Sequence, residues 1–251
     1  MAVQSLERAL KILDVLAKNP DGLGVTEISR EIDLHKSTVY RLLSTFAKWG
    51  YVEQDKKLEK YKLGLKIVEL SNCILSSLGL REVARPYLEE LMKYANEVVH
   101  LCVLSDGEVV YIDKVECPST IRMYSQIGKR APVHCTGVGK AILAFLPEEE
   151  AIKILKAKGL PQKTPNTITN LEEMLKHLEK IRELEYAVDN VEHEEGIRCV
   201  ATPLFDHTNK VVASISISGP DYRVTEDRIP ELAEKIKEIA QQISRKLGYF
   251  G

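Results

Sequence analysis

Three stretches of this sequence carry residue types from which chemistry or recognition can be built. The first is His134-Cys135-Thr136-Gly137-Val138-Gly139-Lys140-Ala141. Glycines that open a helix expose backbone N–H groups at the positive end of the helix dipole, which favours an anion such as a small carboxylate. A phosphate loop would need a glycine five residues before the Gly139-Lys140 pair and a hydroxyl after the lysine. His134 and Ala141 occupy those places, so nucleotide hydrolysis is not expected, and a glycine turn without a ligand stays open. The second stretch runs from Asp189 to Cys199. It reads as an acidic loop between strands, with Asp189 and Cys199 placed where they could face a cavity. The third, Ser214-Ile215-Ser216-Ile217-Ser218, alternates strictly, so its serines share one strand face. A buried serine face needs polar partners; the sequence alone allows either a polar pocket or an exposed sheet face.

A fourth stretch, residues 25–50, points outward rather than inward. Val25, Ile28 and Ile32 line a short helix, Asp33-Leu34 interrupts, and Val39, Leu42, Leu43, Phe46 and Trp49 line a second helix closed by Gly50. The face left over holds Lys36, Ser37, Thr38, Tyr40, Arg41, Ser44, Thr45 and Lys48, without a carboxylate. Such a face can donate to phosphates and to base edges in a major groove. On an isolated helix it would be read as plain solvated surface. Here a helix precedes it, residues 4–17, with Leu6, Ala9, Leu10, Leu13, Leu16 and Ala17 on one stripe. A charged hairpin follows, Tyr51–Glu53 and Lys60–Leu63 around a polar tip. Together these predict a winged helix-turn-helix over residues 1–64. Lys56, Lys57, Lys60 and Lys62 of the wing could reach phosphates, although Asp55 and Glu59 also suit a merely solvated hairpin.

At 251 residues, with 44% hydrophobic and 29% charged residues, the chain has the balance of a soluble globular protein of one large or two smaller domains. No apolar run is long enough to span a bilayer, and the N-terminus lacks a cleavage signal. The five cysteines are scattered, with no CxxC pair, so a reducing, cytoplasmic setting is expected and no cofactor or metal motif is found. Residues 1–64 carry 11 Lys+Arg against 9 Asp+Glu and the remainder 24 against 28, a mild basic-to-acidic contrast along the chain. Two rival functions remain at this level. A small-acid enzyme would use Cys135 or Cys199 as nucleophile beside His134 or His193. A redox or metal sensor would use the same side chains.

Beyond Gly64 the apolar positions of residues 65–78, among them Leu65, Val68 and Leu70, surround more than one helix face, which suggests a linker helix over 65–80 engaged in self-association. Residues 81–251 then read as a helix (81–95), strands at Val98–Leu104 and Val109–Val115 joined at Asp106-Gly107, and a strand at Ile121–Tyr124. Helices follow at 140–145, 148–158 and 171–184, then strands at Ile197–Phe205 and Val211–Ser218, and a closing amphipathic helix near 225–247. The class is α+β, with an α/β second domain.

The blocks SLERALKILDVL, LHKSTVYRLLSTFAKWGYV, YKLGLKIVEL, VHLCVLSDGEVVYIDKVE, PVHCTGVGKAILAF, TPNTIT, YAVDNVEHEEGIRCVATPLFD and ASISISGP, in this order, resemble the isocitrate-lyase-regulator (IclR) family of bacterial transcription factors along nearly the whole chain. The resemblance implies a winged helix-turn-helix, a linker helix and a GAF-like effector-binding domain. It further implies homodimers, with dimers of dimers as an option, on palindromic operators of double-stranded DNA, and small organic acids as effectors. By position it implies DNA contacts from Lys36, Ser37, Thr38, Tyr40, Arg41, Lys56 and Lys57, with Arg41 the residue best suited to a bidentate guanine contact. It implies an effector pocket of Gly137, Val138, Asp189, Ile197, Cys199, Ser216 and Ser218, to which Met123, Tyr124, Cys135 and Thr136 could add.

Overall fold

The structure, a computed structural model, describes residues 3–55, 57–70, 79–118 and 125–251. Lys56, Cys73, Met123, Tyr124, the expected strand at Ile121–Tyr124 and half of the expected linker helix therefore lie outside the described residues. The chain divides after Leu78 into two compact units.

The first unit holds α1 (Gln4–Ala17), α2 (Val25–Glu31), α3 (Lys36–Lys48) and a hairpin of β1 (Val52–Asp55) and β2 (Lys60–Leu63). Asp33, at φ 50°, turns the backbone between α2 and α3; a short polar residue tolerates this left-handed region better than a bulky one. Ile12, Leu16, Ile28, Val39, Leu43, Val52 and Tyr61 are buried together. Burying each of the aliphatic side chains among them contributes about 1.5–3 kcal/mol, which holds a small three-helix unit around the hairpin. Several expected positions differ, Ala17 among them, which is exposed. Leu6 and Leu10 are exposed while Ile12 is buried, and Trp49 is exposed at 66%. The core draws on the Ile12–Leu16 side of α1, and Trp49 lies past the end of α3, where the helix no longer fixes its direction. Residues 66–70 begin a helix after Gly64, and Leu65, Val68 and Leu70 are exposed.

The second unit is a six-stranded antiparallel sheet, ordered β5-β4-β3-β8-β7-β6, with helices on both faces. It is built from α4 (Leu80–Ala95), β3 (Val98–Ser105), β4 (Glu108–Val115), β5 (Arg130–Pro132), α5 (Gly137–Phe145), α6 (Glu148–Lys158), α7 (Leu171–Leu184), β6 (Ala187–Asn190), β7 (Ile197–Phe205), β8 (Val211–Pro220) and α8 (Ile229–Lys246). Asp106 and Gly107, both with positive φ, form the two-residue β3–β4 turn, the geometry that matches the strand twist. On one face, Leu88 and Leu91 of α4 and Ile236, Ile239 and Ile243 of α8 bury Val99, Leu101, Ile215 and Ile217. On the other, α5, α6 and α7 pack Ile142, Leu155, Met174 and Leu178 near Cys102, Val109 and Ala201. Strict alternation in β8 thus sends its isoleucines to the first layer and its serines to the second. The serine face is buried, not an exposed sheet face. The short strand β5 was not anticipated, and β6 was implied only as the strand before the acidic loop, without bounds of its own. Among the described residues no helix is long and apolar enough to cross a membrane.

Candidate functional site

In the first unit, α3 presents Lys36, Ser37, Tyr40 and Arg41 to solvent, with Thr38 half-buried at their edge. Ser44, Thr45 and Lys48 continue the exposed face. The buried stripe Val39–Leu43 orients them, so their direction follows from helical spacing. At the tip of the wing, Asp55 Oδ1 accepts the N–H groups of Lys57 (2.8 Å) and Leu58 (3.2 Å), which folds the turn and leaves Lys57 exposed. Lys62 lies 3.9 Å from Glu53 across the hairpin, with both side chains half exposed; such a pair is worth little and leaves Lys62 able to turn to a phosphate.

In the second unit the strand register builds a cavity. Asp189 of β6 pairs with Cys199 of β7, and Cys199 pairs with Ser218 of β8. The next row on the same face runs Ala187, Ala201, Ser216, His100. The alanines leave room for α5 to approach, and Gly137 completes the fit: a side chain on it would meet Ala201 Cβ at 3.2 Å. Gly139 is more tightly constrained, because a Cβ there would come 2.4 Å from the Val133 backbone. Thr136 caps α5. Its Oγ1 accepts from the Gly139 N–H (3.2 Å) and donates to Pro132 O (2.7 Å). The amides of Gly137 and Val138, the first two of the helix, take no hydrogen bond among the described residues. They remain as donors at the positive helix end.

The resulting cavity of about 290 Å³ is lined by all of Gly137, Val138, Asp189, Ile197, Cys199, Ser216 and Ser218. Thr136 lines it too; Cys135 is buried behind it, its Sγ 3.7 Å from His193 Nδ1. Sequence reasoning missed His100, Tyr111, Ser125, Lys129, Lys163 and Glu194, which also line it. His100 shares a face with Cys102, which a strand reading could have noted, but its place opposite Ser216 depends on the non-local β3–β8 pairing.

Lys140 does not reach this cavity. Its side chain is fully buried and pairs with the Glu192 carboxylate, while Nζ also donates to Val188 O (2.7 Å) and His177 Nε2 (3.3 Å). Burial and the Lys140 charge pull His177 down to about 4, so it stays neutral and can accept. The loop carrying Glu192 is fixed from other sides as well. Thr164 Oγ1 donates to Val191 O (2.6 Å), Thr167 Oγ1 to Glu192 O (2.6 Å), and Asp189 Oδ1 accepts from the N–H of Glu192 (2.7 Å) and His193 (3.3 Å).

Burial pushes the Asp189 carboxyl up to about 7, against the nearby Lys140 charge and the Glu192 N–H, which pull it down. The folded state therefore binds this proton more tightly than the unfolded state does. The stabilising contribution is present below the unfolded pKa near 4 and is lost as pH rises towards 7. Asp189→Asn keeps an acceptor for both amides and removes the proton. The wild-type minus Asp189→Asn stability difference should fall between about pH 4 and pH 7 and be flat above about pH 8. Urea unfolding across that range tests it, and a difference independent of pH would refute the assignment. The cysteines are poor nucleophiles. Burial raises the Cys135 thiol to about 12 and the Cys199 thiol higher still, so neither is a thiolate near neutral pH. His134 Nε2 meets Pro161 O at 3.0 Å, and no three metal-ligating side chains gather among the described residues.

A helix-turn-helix with a cationic outer face, followed in the chain by a sheet domain enclosing a polar cavity, defines a two-part DNA-binding protein. Comparison with known proteins agrees in both parts. Residues 5–56 match the IclR helix-turn-helix domain and residues 73–245 match the model described as bacterial transcriptional regulator IclR C-terminal. The chain is 37% identical over 247 residues to the HTH-type transcriptional regulator XynR of Escherichia coli, covering 98% of each. It is 39% identical to the HTH-type transcriptional repressor AllR of the same species, covering 98% of this chain and 90% of the relative. Among solved structures it is similar to the Thermotoga maritima IclR, with 42% identity, a TM-score of 0.67, and 98% and 99% of the two chains covered. The chain belongs to the IclR family. It is a DNA-binding transcriptional regulator, the class of its relatives, and not an enzyme.

Proposed function

We propose that the chain is a ligand-responsive repressor of a catabolic operon that binds a palindromic operator as a homodimer and senses a small organic acid in the second-unit cavity. The observation that carries the reading is the pairing of two free amides, Gly137 and Val138, with the buried hydroxyls of Ser216 and Ser218 and the carboxyl of Asp189 around one hollow. The amides suit a carboxylate; the hydroxyls and Asp189 suit the polar groups beside it. On the first unit, Lys36, Ser37, Thr38, Tyr40, Arg41, Lys56 and Lys57 contact the duplex, Arg41 reading a base and the lysines holding phosphates. The exposed apolar residues Leu6, Leu10, Leu65, Val68 and Leu70 supply surface that a second copy can cover, and two such dimers can pair in turn. Such a protein works beside the chromosome, in the bacterial cytoplasm. The ligand acts by binding one dimer arrangement more tightly than the other, since equal affinity for both would change nothing.

The test is thermal-shift screening of an organic-acid panel, because a ligand of the native state raises its melting temperature in proportion to the logarithm of concentration. For the acid that stabilises it, Ser216→Ala with Ser218→Ala should weaken binding by roughly 10- to 100-fold, the worth of two lost hydroxyl bonds. Ligand-free affinity for operator DNA should stay unchanged. An unaltered acid affinity in the double variant would move the site away from these serines.

A further inference from the structure

His100 lies on the cavity floor and is only 2% exposed. Its Nε2 is 2.7 Å from Ser125 Oγ. Its Nδ1 is 3.3 Å from Ser218 Oγ and 3.4 Å from Ser216 Oγ, and those two oxygens are 3.3 Å apart. The ring meets Tyr111 edge-on, with centroids 5.0 Å apart. Burial, helped by the Lys114 charge, pulls the imidazole down to about 3. The ring is therefore neutral and carries a single N–H.

That one proton constrains the whole cluster. With it on Nε2, the ring donates to Ser125 and Nδ1 accepts from one serine, which in turn accepts from the other. Both serine protons are then used internally, and the pair shows only lone pairs to the cavity. With the proton on Nδ1, the ring donates to a serine, Ser125 donates to Nε2, and the serine protons are free to point at a ligand. Ser125 fits both states, because a hydroxyl can donate or accept and its side chain makes no other hydrogen bond among the described residues. The amide donors are close by: a side chain on Gly137 would come 3.6 Å from Cys199 Cβ, and Cys199 pairs with Ser218.

We infer that His100 is a specificity-determining residue, whose tautomer converts the Ser216–Ser218 pair between acceptor and donor. The cavity then takes acids bearing either a hydroxyl or a carbonyl oxygen on the carbon beside the carboxylate, and disfavours the unsubstituted acid. This rests on the cavity being an acid site, and the test separates the two claims.

Calorimetric titration of the full chain uses two matched trios: pyruvate, lactate and propionate, and 2-oxobutyrate, 2-hydroxybutyrate and butyrate. The variant is His100→Phe, which keeps a ring against Tyr111 and removes both nitrogens. Wild type should bind the oxo and hydroxy members and bind the unsubstituted acid about tenfold more weakly or worse. In the variant the hydroxy acid should lose about tenfold or more, because a serine proton then loses its imidazole acceptor when the ligand hydroxyl donates to the pair, and the Cys199 sulfur beside Ser218 is only a weak replacement. The oxo acid should stay within about threefold. Equal loss for both acids, or no loss, overturns the assignment. The wild type gives a second reading that does not depend on the variant folding: ¹⁵N spectra of the histidine rings should show the Nδ1 proton with the oxo acid and the Nε2 proton with the hydroxy acid. The same tautomer in both complexes also overturns it. If no acid of either trio binds wild type, the acid-site reading itself fails and the inference falls with it; binding without discrimination defeats only the role of His100.

Discussion

Replacing Lys140 with methionine is expected to destabilise the second unit by about 3–5 kcal/mol, the usual effect of removing one partner of a buried ion pair. Methionine fills much of the same space, so the loss is electrostatic rather than a cavity effect. It leaves the Glu192 carboxylate buried at 4% exposure without its cation, and Glu192 Oε2 already has no hydrogen-bond partner among the described residues. Val188 O loses its donor in the same step. Adding Glu192→Gln should recover much of the loss, since the stranded charge is then gone; the coupling between the two substitutions is the quantity to measure. Urea unfolding should be followed by far-ultraviolet circular dichroism, because the single tryptophan, Trp49, lies in the first unit and would report on the wrong transition. A loss below about 1 kcal/mol in the single variant, the range of a surface pair, would mean that the pair is not buried in solution.

The same contacts explain how the cavity wall is held. Asp189 lies near the end of β6, and His193 lies in the loop that follows it, residues 191–196, which has no regular structure of its own. Its order comes from outside: the Lys140 ammonium from α5, two threonine hydroxyls from the Thr164–Thr167 turn, and the Asp189 carboxyl from β6. The lysine that imitates a phosphate-loop residue is thus turned away from the cavity and ties the cavity-facing loop to the helix that offers the free amides. Glu192 lies 52 residues further along the chain, so no local spacing announces the pair.

That contrast runs through the molecule. Features set by short-range periodicity were legible in the sequence. The bounds of α1, the Asp106-Gly107 turn and the shared face of the β8 serines each follow from residues within one or two turns of one another. Periodicity did not say which side of α1 faces inward, because Leu6, Leu10 and Leu13 form as good a stripe as Ile12 and Leu16 do; only the packing of α2, α3 and the hairpin decides it. The cavity residues on β6, β7, β8 and α5 were reached through resemblance to a family. Those on β3 and β4, His100 and Tyr111, were not, because their place depends on a sheet order that puts the first strand of the domain beside the last. Whether the serines were pocket or surface turned on the same point: burial of a face is decided by what packs on it.

Arg41→Ala is expected to weaken binding to the cognate operator by roughly 1–3 kcal/mol, or about five- to 150-fold, if its guanidinium reads a base. The side chain is exposed on α3, and among the described residues it makes no side-chain hydrogen bond or ion pair that binding would have to break. Because the side chain is exposed, the substitution should leave folding of the first unit intact. Lys57→Ala provides the contrast. A phosphate contact is independent of sequence, so its loss should weaken operator and random duplex alike and lower the salt slope of binding by about one. Fluorescence anisotropy should be run with the intergenic DNA beside its own gene and with a scrambled duplex, over a series of salt concentrations. Base readout predicts that Arg41→Ala compresses the ratio of operator to scrambled affinity and leaves the salt slope within about one unit of wild type. If both duplexes weaken equally, Arg41 is one more backbone cation, and specificity must come from Ser37, Thr38 and Tyr40, whose hydroxyls can read base edges from the same helix face, or from the deformability of the DNA itself.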